Sequence, residues 1–361
     1  MSTISQNLIR LQNAKSAIAN AITQMGGTVG SGDGFEDFQS DILTIPKIQA
    51  PYIEFSGTDS FTLQVSNGKK WDGTLEYSVN LTDWQTWDGS NAISCGTNNK
   101  LYLRGIGNTK ISATSQGDFS SFVFTTNGYI SIAGKLNSLI DYRIATFDDT
   151  PTLANYCFDG MFDQCNNIIS AKNLDINIKK ITNTDCFCFM FRNCQYLTDA
   201  PIISIEDMSE SSSACEYMFN NCTSLINPPE LNTMSLGYSC YYAMFMGCTS
   251  LVSSPNLPAT TLYSSCYQSM FQDCTSIESI ASIPSLSLPQ QCCYSMYDGC
   301  SKIKLSTTQT GNYQNEYRIP MSGTGSFQHY NAVTNMFYKT GGTFTGTHNI
   351  NQTYYTSNEV V

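Results

Sequence analysis

The chain has 361 residues, of which only 13% are charged, with 29 acidic against 18 basic side chains and a net charge of -11. A field of that sign repels phosphate backbones, which excludes nucleic acid as an expected partner. The charged share is about half that of an ordinary soluble domain, so hydroxyl and amide side chains must supply the solvated surface. No apolar run approaches the roughly 18 to 20 residues that cross a bilayer, and the first residues carry no signal-peptide pattern. The expectation is a protein without membrane insertion, made in a cytoplasm.

Taken in chain order, residues 1–48 read as a helical attachment and oligomerisation segment. Ile4, Leu8, Leu11, Ile18, Ile22 and Met25 step by 4, 3, 7, 4 and 3, with Lys15 at the one missing seam position. That spacing predicts a short coiled coil, hence a homo-oligomer for which a trimer is compatible, and it equally fits an amphipathic helix packed on its own chain. Gly26-Gly27 ends the run, and a second short helix from Gly34 stops at Pro46. Gly30-Ser31-Gly32-Asp33-Gly34 lacks the strand and the Lys-Ser/Thr of a phosphate loop and reads as a linker. With Ile9-Arg10-Leu11 and Met25-Gly26-Gly27, this stretch resembles the N-terminal attachment segment of phage tail-fibre proteins. The resemblance implies contact with other virion proteins.

Residues 49–132 alternate apolar and polar side chains in runs such as Phe61-Thr62-Leu63-Gln64-Val65 and Leu101-Tyr102-Leu103. Asn67-Gly68, Asp72-Gly73, Asp88-Gly89 and Asn127-Gly128 punctuate them at hairpin intervals, predicting an antiparallel β-sandwich. Trp71, Trp84 and Trp87 fall within it and read as core in preference to sugar-stacking platforms. Residues 133–150 read as a linker or cap.

From residue 151 the sequence repeats. Met161, Met190, Met218, Met244, Met270 and Met296 recur at intervals of 29, 28, 26, 26 and 26. Four residues after each stands Cys165, Cys194, Cys222, Cys248, Cys274 or Cys300. Four residues before stands Cys157, Cys186, Cys240, Cys266 or Cys292, with Cys215 displaced by one in the third copy. A spacing of four puts these side chains on one helical face, so each unit is expected to open with a short helix. Pro228, Pro255, Pro258 and Pro284 then impose an extended second half. Phe219-Asn-Asn-Cys222-Thr-Ser-Leu225 and Phe245-Met-Gly-Cys248-Thr-Ser-Leu251 resemble the BspA-type leucine-rich repeats of bacterial surface and gut-phage proteins. The resemblance implies a stacked helix–strand solenoid over 151–305. A divergent unit at Asn335-Met336-Phe337-Tyr338, with Gly341-Gly342 in place of the cysteine, and a C-terminal cap fill 306–361. The predicted fold class is therefore multidomain α+β: N-terminal helix, antiparallel β-sandwich, C-terminal leucine-rich-repeat solenoid.

The repeat thiols read as buried, reduced core columns. Cys186-Phe187-Cys188 and Cys292-Cys293 do not match the spacing of a zinc site, and His329 and His348 lie apart from them. No catalytic constellation, cofactor motif or metal site is expected, although Asp148, Asp149, Glu206, Asp207 and Glu210 offer carboxylates of the kind glycan cleavage uses. The order of oligomerising segment, spacer and repeat suggests a non-enzymatic display protein. The expectation is a phage head- or tail-fibre or adhesin subunit, located in the virion and assembled in the host cytoplasm, that binds host surface glycan or protein. A fibre depolymerase and a bacterial surface adhesin are the alternatives.

Overall fold

The computed structural model describes residues 11–20, 29–30, 51–144 and 151–361. The chain divides into two units, Met1–Ala50 and Pro51–Val361. In the first, residues 11–20 are helical, with Leu11 and Ile18 at 57% and 39% exposure. Ile4, Leu8, Ile22 and Met25 lie outside the described residues, as do Asp148 and Asp149. This one run does not support a helical module over 1–48. The α+β class is overturned as well, since strand accounts for 30% and helix for 4% of the structure, and no leucine-rich-repeat solenoid is present among the described residues.

The second unit opens with two antiparallel sheets. Strands β1 (Ile53–Gly57), β3 (Thr74–Ser78), β4 (Gln85–Trp87), β6 (Lys100–Ile106) and β10 (Ile130–Lys135) form part of the larger sheet, and β2 (Thr62–Val65), β5 (Ile93–Ser94) and β9 (Phe122–Thr125) form the smaller. A hairpin of β7 (Ala113–Ser115) and β8 (Asp118–Phe119) lies between them in sequence. Alternation buries Phe55, Leu63, Leu101, Leu103, Phe122 and Phe124 between the sheets, where the Phe55 and Phe124 rings lie 5.1 Å apart. Trp71 and Trp87 are 3% exposed, and Arg104 lies 3.9 Å over the Trp84 ring. The tryptophans therefore brace this region. Strand β10 pairs in parallel with β11 (Ile168–Lys180), β11 with β12 (Ile202–Ser212), and β12 with β13 (Ser235–Tyr238). One eight-stranded sheet thus runs from the first module into the repeats.

The predicted helices around each Met are replaced by chains of turns. Every fourth residue has positive φ, as at Asp185, Phe189 and Asn193, at Ser239, Ala243 and Gly247, and at Ser265, Ser269 and Asp273. A right-handed helix contains no such residue. Between them the backbone alternates two kinds of hydrogen bond. Tyr241, Ala243, Phe245 and Gly247 donate N–H across to Cys266, Gln268, Met270 and Gln272 of the next unit, at 2.8 to 3.0 Å. Tyr242, Met244, Met246 and Cys248 donate back three residues to Ser239, Tyr241, Ala243 and Phe245. Each N–H in the run is paired, as a buried backbone requires. Side chains four apart still share a face, because the turn tetrad itself repeats every four residues. The Met–Cys spacing is common to both geometries.

Stacking turns at the spacing of a sheet superposes equivalent side chains. Phe162, Phe191, Phe219, Phe245, Phe271, Tyr297 and Phe337 form one continuous column, with centroids 5.1 to 5.7 Å apart and interplanar angles of 0° to 23°. The Met residues and the repeat cysteines follow suit: all fifteen cysteines of the chain are free thiols, and the fourteen within the repeats are buried. The first module starts the column. Phe122 of β9 donates its N–H to Met161 and accepts the Cys165 thiol on its carbonyl, while its ring meets Phe162 edge-on at 5.9 Å.

At the other end Phe337 exchanges backbone bonds with Gly346. Parallel pairs of β14 (Ser287–Leu288) with β17 (Ser326–Phe327) and of β15 (Lys304–Ser306) with β18 (Gly341–Gly342) continue the stacking there. Antiparallel pairing of β16 (Asn315–Tyr317) and β15 with β19 (Tyr354–Thr356) closes it. The cysteine position of this last unit is held by Thr340, not by the glycine pair; its hydroxyl donates to the Phe337 carbonyl at 2.8 Å.

The cysteine four residues after each Met is more than an apolar filler. Cys194, Cys222, Cys248, Cys274 and Cys300 direct Sγ to the carbonyls of Phe162, Phe191, Phe219, Phe245 and Phe271 in the preceding unit, at 2.9 to 3.1 Å. Each unit is thereby tied to its predecessor by a weak donor in a water-free core. Cys248→Ser, which keeps a donor, is expected to unfold at higher urea than Cys248→Ala, which removes one, with the alanine variant losing about 1 to 2 kcal/mol. The reverse order in urea titrations would show that apolar volume alone sets the residue at this position.

Candidate functional site

Where the first module meets the first turn unit, the surface opens into a cleft of about 640 Å³ lined by Ser66, Phe119, Ser121, Val123, Phe124, Gly128, Tyr129, Asp163, Gln164, Cys165, Asn166, Asn167 and Arg192. That volume is the size of a site for a small ligand. Strand β9 supplies one wall, and the hairpin β7–β8 supplies Phe119. The other wall comes from the turns: Gln164 is a positive-φ residue, and the bend there presents Gln164, Asn166 and Asn167 side by side.

Tyr129, 42% exposed, stands at the rim with its ring 6.0 Å from that of Tyr196, 52% exposed. Asn166 accepts the Gln195 N–H through Oδ1, Asn167 donates Nδ2 to the Phe124 carbonyl, and Gln164 donates Nε2 to Asp163. Each amide so anchored keeps its other end free of protein partners among the described residues. Asp163 and Arg192, one unit apart, form a bidentate pair at 2.8 and 2.9 Å, and Arg192 lies 4.2 Å over the Phe189 ring. Neighbouring this pair, Asp159 is 1% exposed with neither carboxyl oxygen paired. Burial, reinforced by Asp185, raises its pKa to about 8, so it is mostly protonated at neutral pH.

Met161, Met190, Met218, Met244, Met270 and Met296, with Cys240, Cys266, Cys292 and the later cysteine of each unit, are all 5% exposed or less, so the repeat residues singled out in the sequence form the core beneath this surface. Cys165 alone among them reaches the cleft lining. Glu206 lies elsewhere, on β12, and Asp207 and Glu210 of that strand face Lys180 at 3.7 and 2.5 Å. No cluster of metal-ligating side chains occurs among the described residues, and none of their helices is long and apolar enough to cross a membrane. The charged pair of the cleft and the neighbouring Tyr196 were legible only as departures from the repeat: Tyr196 occupies the place of Ser224, Ser250 and Ser276, and Asp163 and Arg192 that of Asn220, Met246 and Gln272. No family model, curated protein or solved structure matches the chain.

Proposed function

We propose that the chain is a structural recognition protein of a virion, a head- or tail-fibre or adhesin subunit that binds a host surface glycan. The observation that carries this reading is the cleft, whose lining sets the exposed Tyr129 ring, itself beside that of Tyr196, near amide groups left free on one side. Rings take the C–H faces of sugars and amides take their hydroxyls. The turn stack supports it by presenting the cleft on a backbone held by hydrogen bonds from unit to unit. In this reading the chain is not an enzyme, and residues 1–48 mediate self-association and attachment to other virion proteins during assembly in the host cytoplasm.

Incubation with host polysaccharide tests the proposal. Retention without new reducing ends is expected, and Tyr129→Ala and Tyr196→Ala should each weaken it about tenfold, the loss of roughly 1.4 kcal/mol. Release of shortened chains would establish a depolymerase instead, and no retention would sink the reading.

A further inference from the structure

We infer that the cleft selects neutral saccharides and rejects chains bearing carboxylate or sulfate groups. This rests on the glycan reading above and names the class of sugar. Asp163 and Arg192 are the only charged side chains in the lining. They are spent on each other: the carboxylate, 2% exposed, holds Nε and Nη2 of the guanidinium, whose own exposure is 26%. An incoming anion would have to compete with a fixed bidentate partner for the single cation.

The remaining polar groups point the same way. Gln164 Oε1 and Asn167 Oδ1 are acceptors, and Asn166 Nδ2 is a donor. A hydroxyl both donates and accepts and can use such a mixture, whereas a carboxylate or sulfate only accepts. Asp185 and Glu216 add negative charge that helps raise the pKa of the neighbouring Asp159, and the whole chain carries a charge of -11. The field at the cleft therefore disfavours an anionic sugar from short and long range alike.

The test uses the full chain and matched oligosaccharides, neutral and with uronate or sulfate on the same backbone, in calorimetric titrations. Wild type is expected to bind the neutral members at least tenfold more tightly. Asp163→Asn releases Arg192 from its counter-charge and should improve binding of the acidic members at least tenfold. Adding Arg192→Gln to Asp163→Asn removes the freed guanidinium and should abolish that gain for acidic chains. Equal binding of both classes by wild type, or no gain in Asp163→Asn, would overturn the selectivity while leaving glycan recognition intact. Failure of every saccharide to bind would overturn both.

Discussion

Phe245→Ala is expected to be among the most damaging single substitutions in the chain, lowering stability by about 3 to 5 kcal/mol in denaturant titration. The Phe245 ring is 0% exposed and lies 5.5 and 5.7 Å from Phe219 and Phe271, almost parallel to each. Truncation opens a void in the middle of the aromatic column, and two neighbours lose a face at once. Collapse cannot fill it, because the turn backbones on both sides are fixed by bonds such as Phe219 N–H to Met244 and Phe245 N–H to Met270, both 2.9 Å. The damage should spread along the stack, so amide exchange is expected to accelerate from about residue 213 to 273. Acceleration confined to residues 239–248 would show that the units are uncoupled and that the ring column is not what joins them. Tyr196→Ala, at an exposed ring, is expected to change stability by under about 0.5 kcal/mol.

That column explains which parts of the fold could be read in advance. Met and Cys at intervals of four mark one buried face whether the backbone is an α-helix or a succession of turns, so core membership was legible and secondary structure was not. The distinguishing signal was present three residues after each Met, where Gln164, Asn193, Asn221, Gly247, Asp273, Gly299 and Lys339 include the glycine, asparagine and aspartate that tolerate positive φ. It was masked by Tyr156, Phe189, Tyr217 and Ala243, which adopt the same conformation against their own preference. Such strain, about 1 to 2 kcal/mol per residue, persists only because the stack on both sides fixes the backbone. The parallel pairing of β10 with β11 was illegible for another reason: Ile130–Lys135 alternates like any sandwich strand, and nothing in its own sequence names its partner. The cleft was hidden because it joins first-module residues such as Phe119 and Tyr129 to turn residues such as Asp163 and Arg192 that break the repeat, and nothing in the sequence shows that the two stretches meet.

Two buried groups should give the protein opposing responses to pH. His348 is 0% exposed among Tyr317, Phe337 and Tyr354, with centroids at 5.7, 5.7 and 4.2 Å, and neither ring nitrogen has a partner. Burial alone lowers its pKa to about 3 from an ordinary 6.5. The unfolded chain therefore takes up a proton that the folded chain refuses, and stability present above pH 6.5 is lost as pH falls toward 3, by about 5 kcal/mol in full. Asp159 acts in the opposite sense. Its pKa, raised to about 8 from 3.8, makes the unfolded chain release a proton that the folded chain keeps. Stability present below pH 3.8 is lost as pH rises toward 8, by roughly 5 to 6 kcal/mol. Between pH 4 and 6 Asp185, whose pKa burial raises to about 6, adds to the Asp159 slope against that of His348, and above 6.5 the Asp159 slope dominates. Asp159→Asn should accordingly gain on wild type progressively between pH 4 and 8. His348→Phe, which fills the aromatic cage without unpaired nitrogens, should gain on wild type as pH falls through the same range. Urea midpoints measured at half-unit steps give both differences directly, with the remaining titrating groups common to each pair. A gap between Asp159→Asn and wild type that stays constant from pH 4 to 8 would mean that Asp159 ionises normally, and a constant gap for His348→Phe would mean the same of the imidazole.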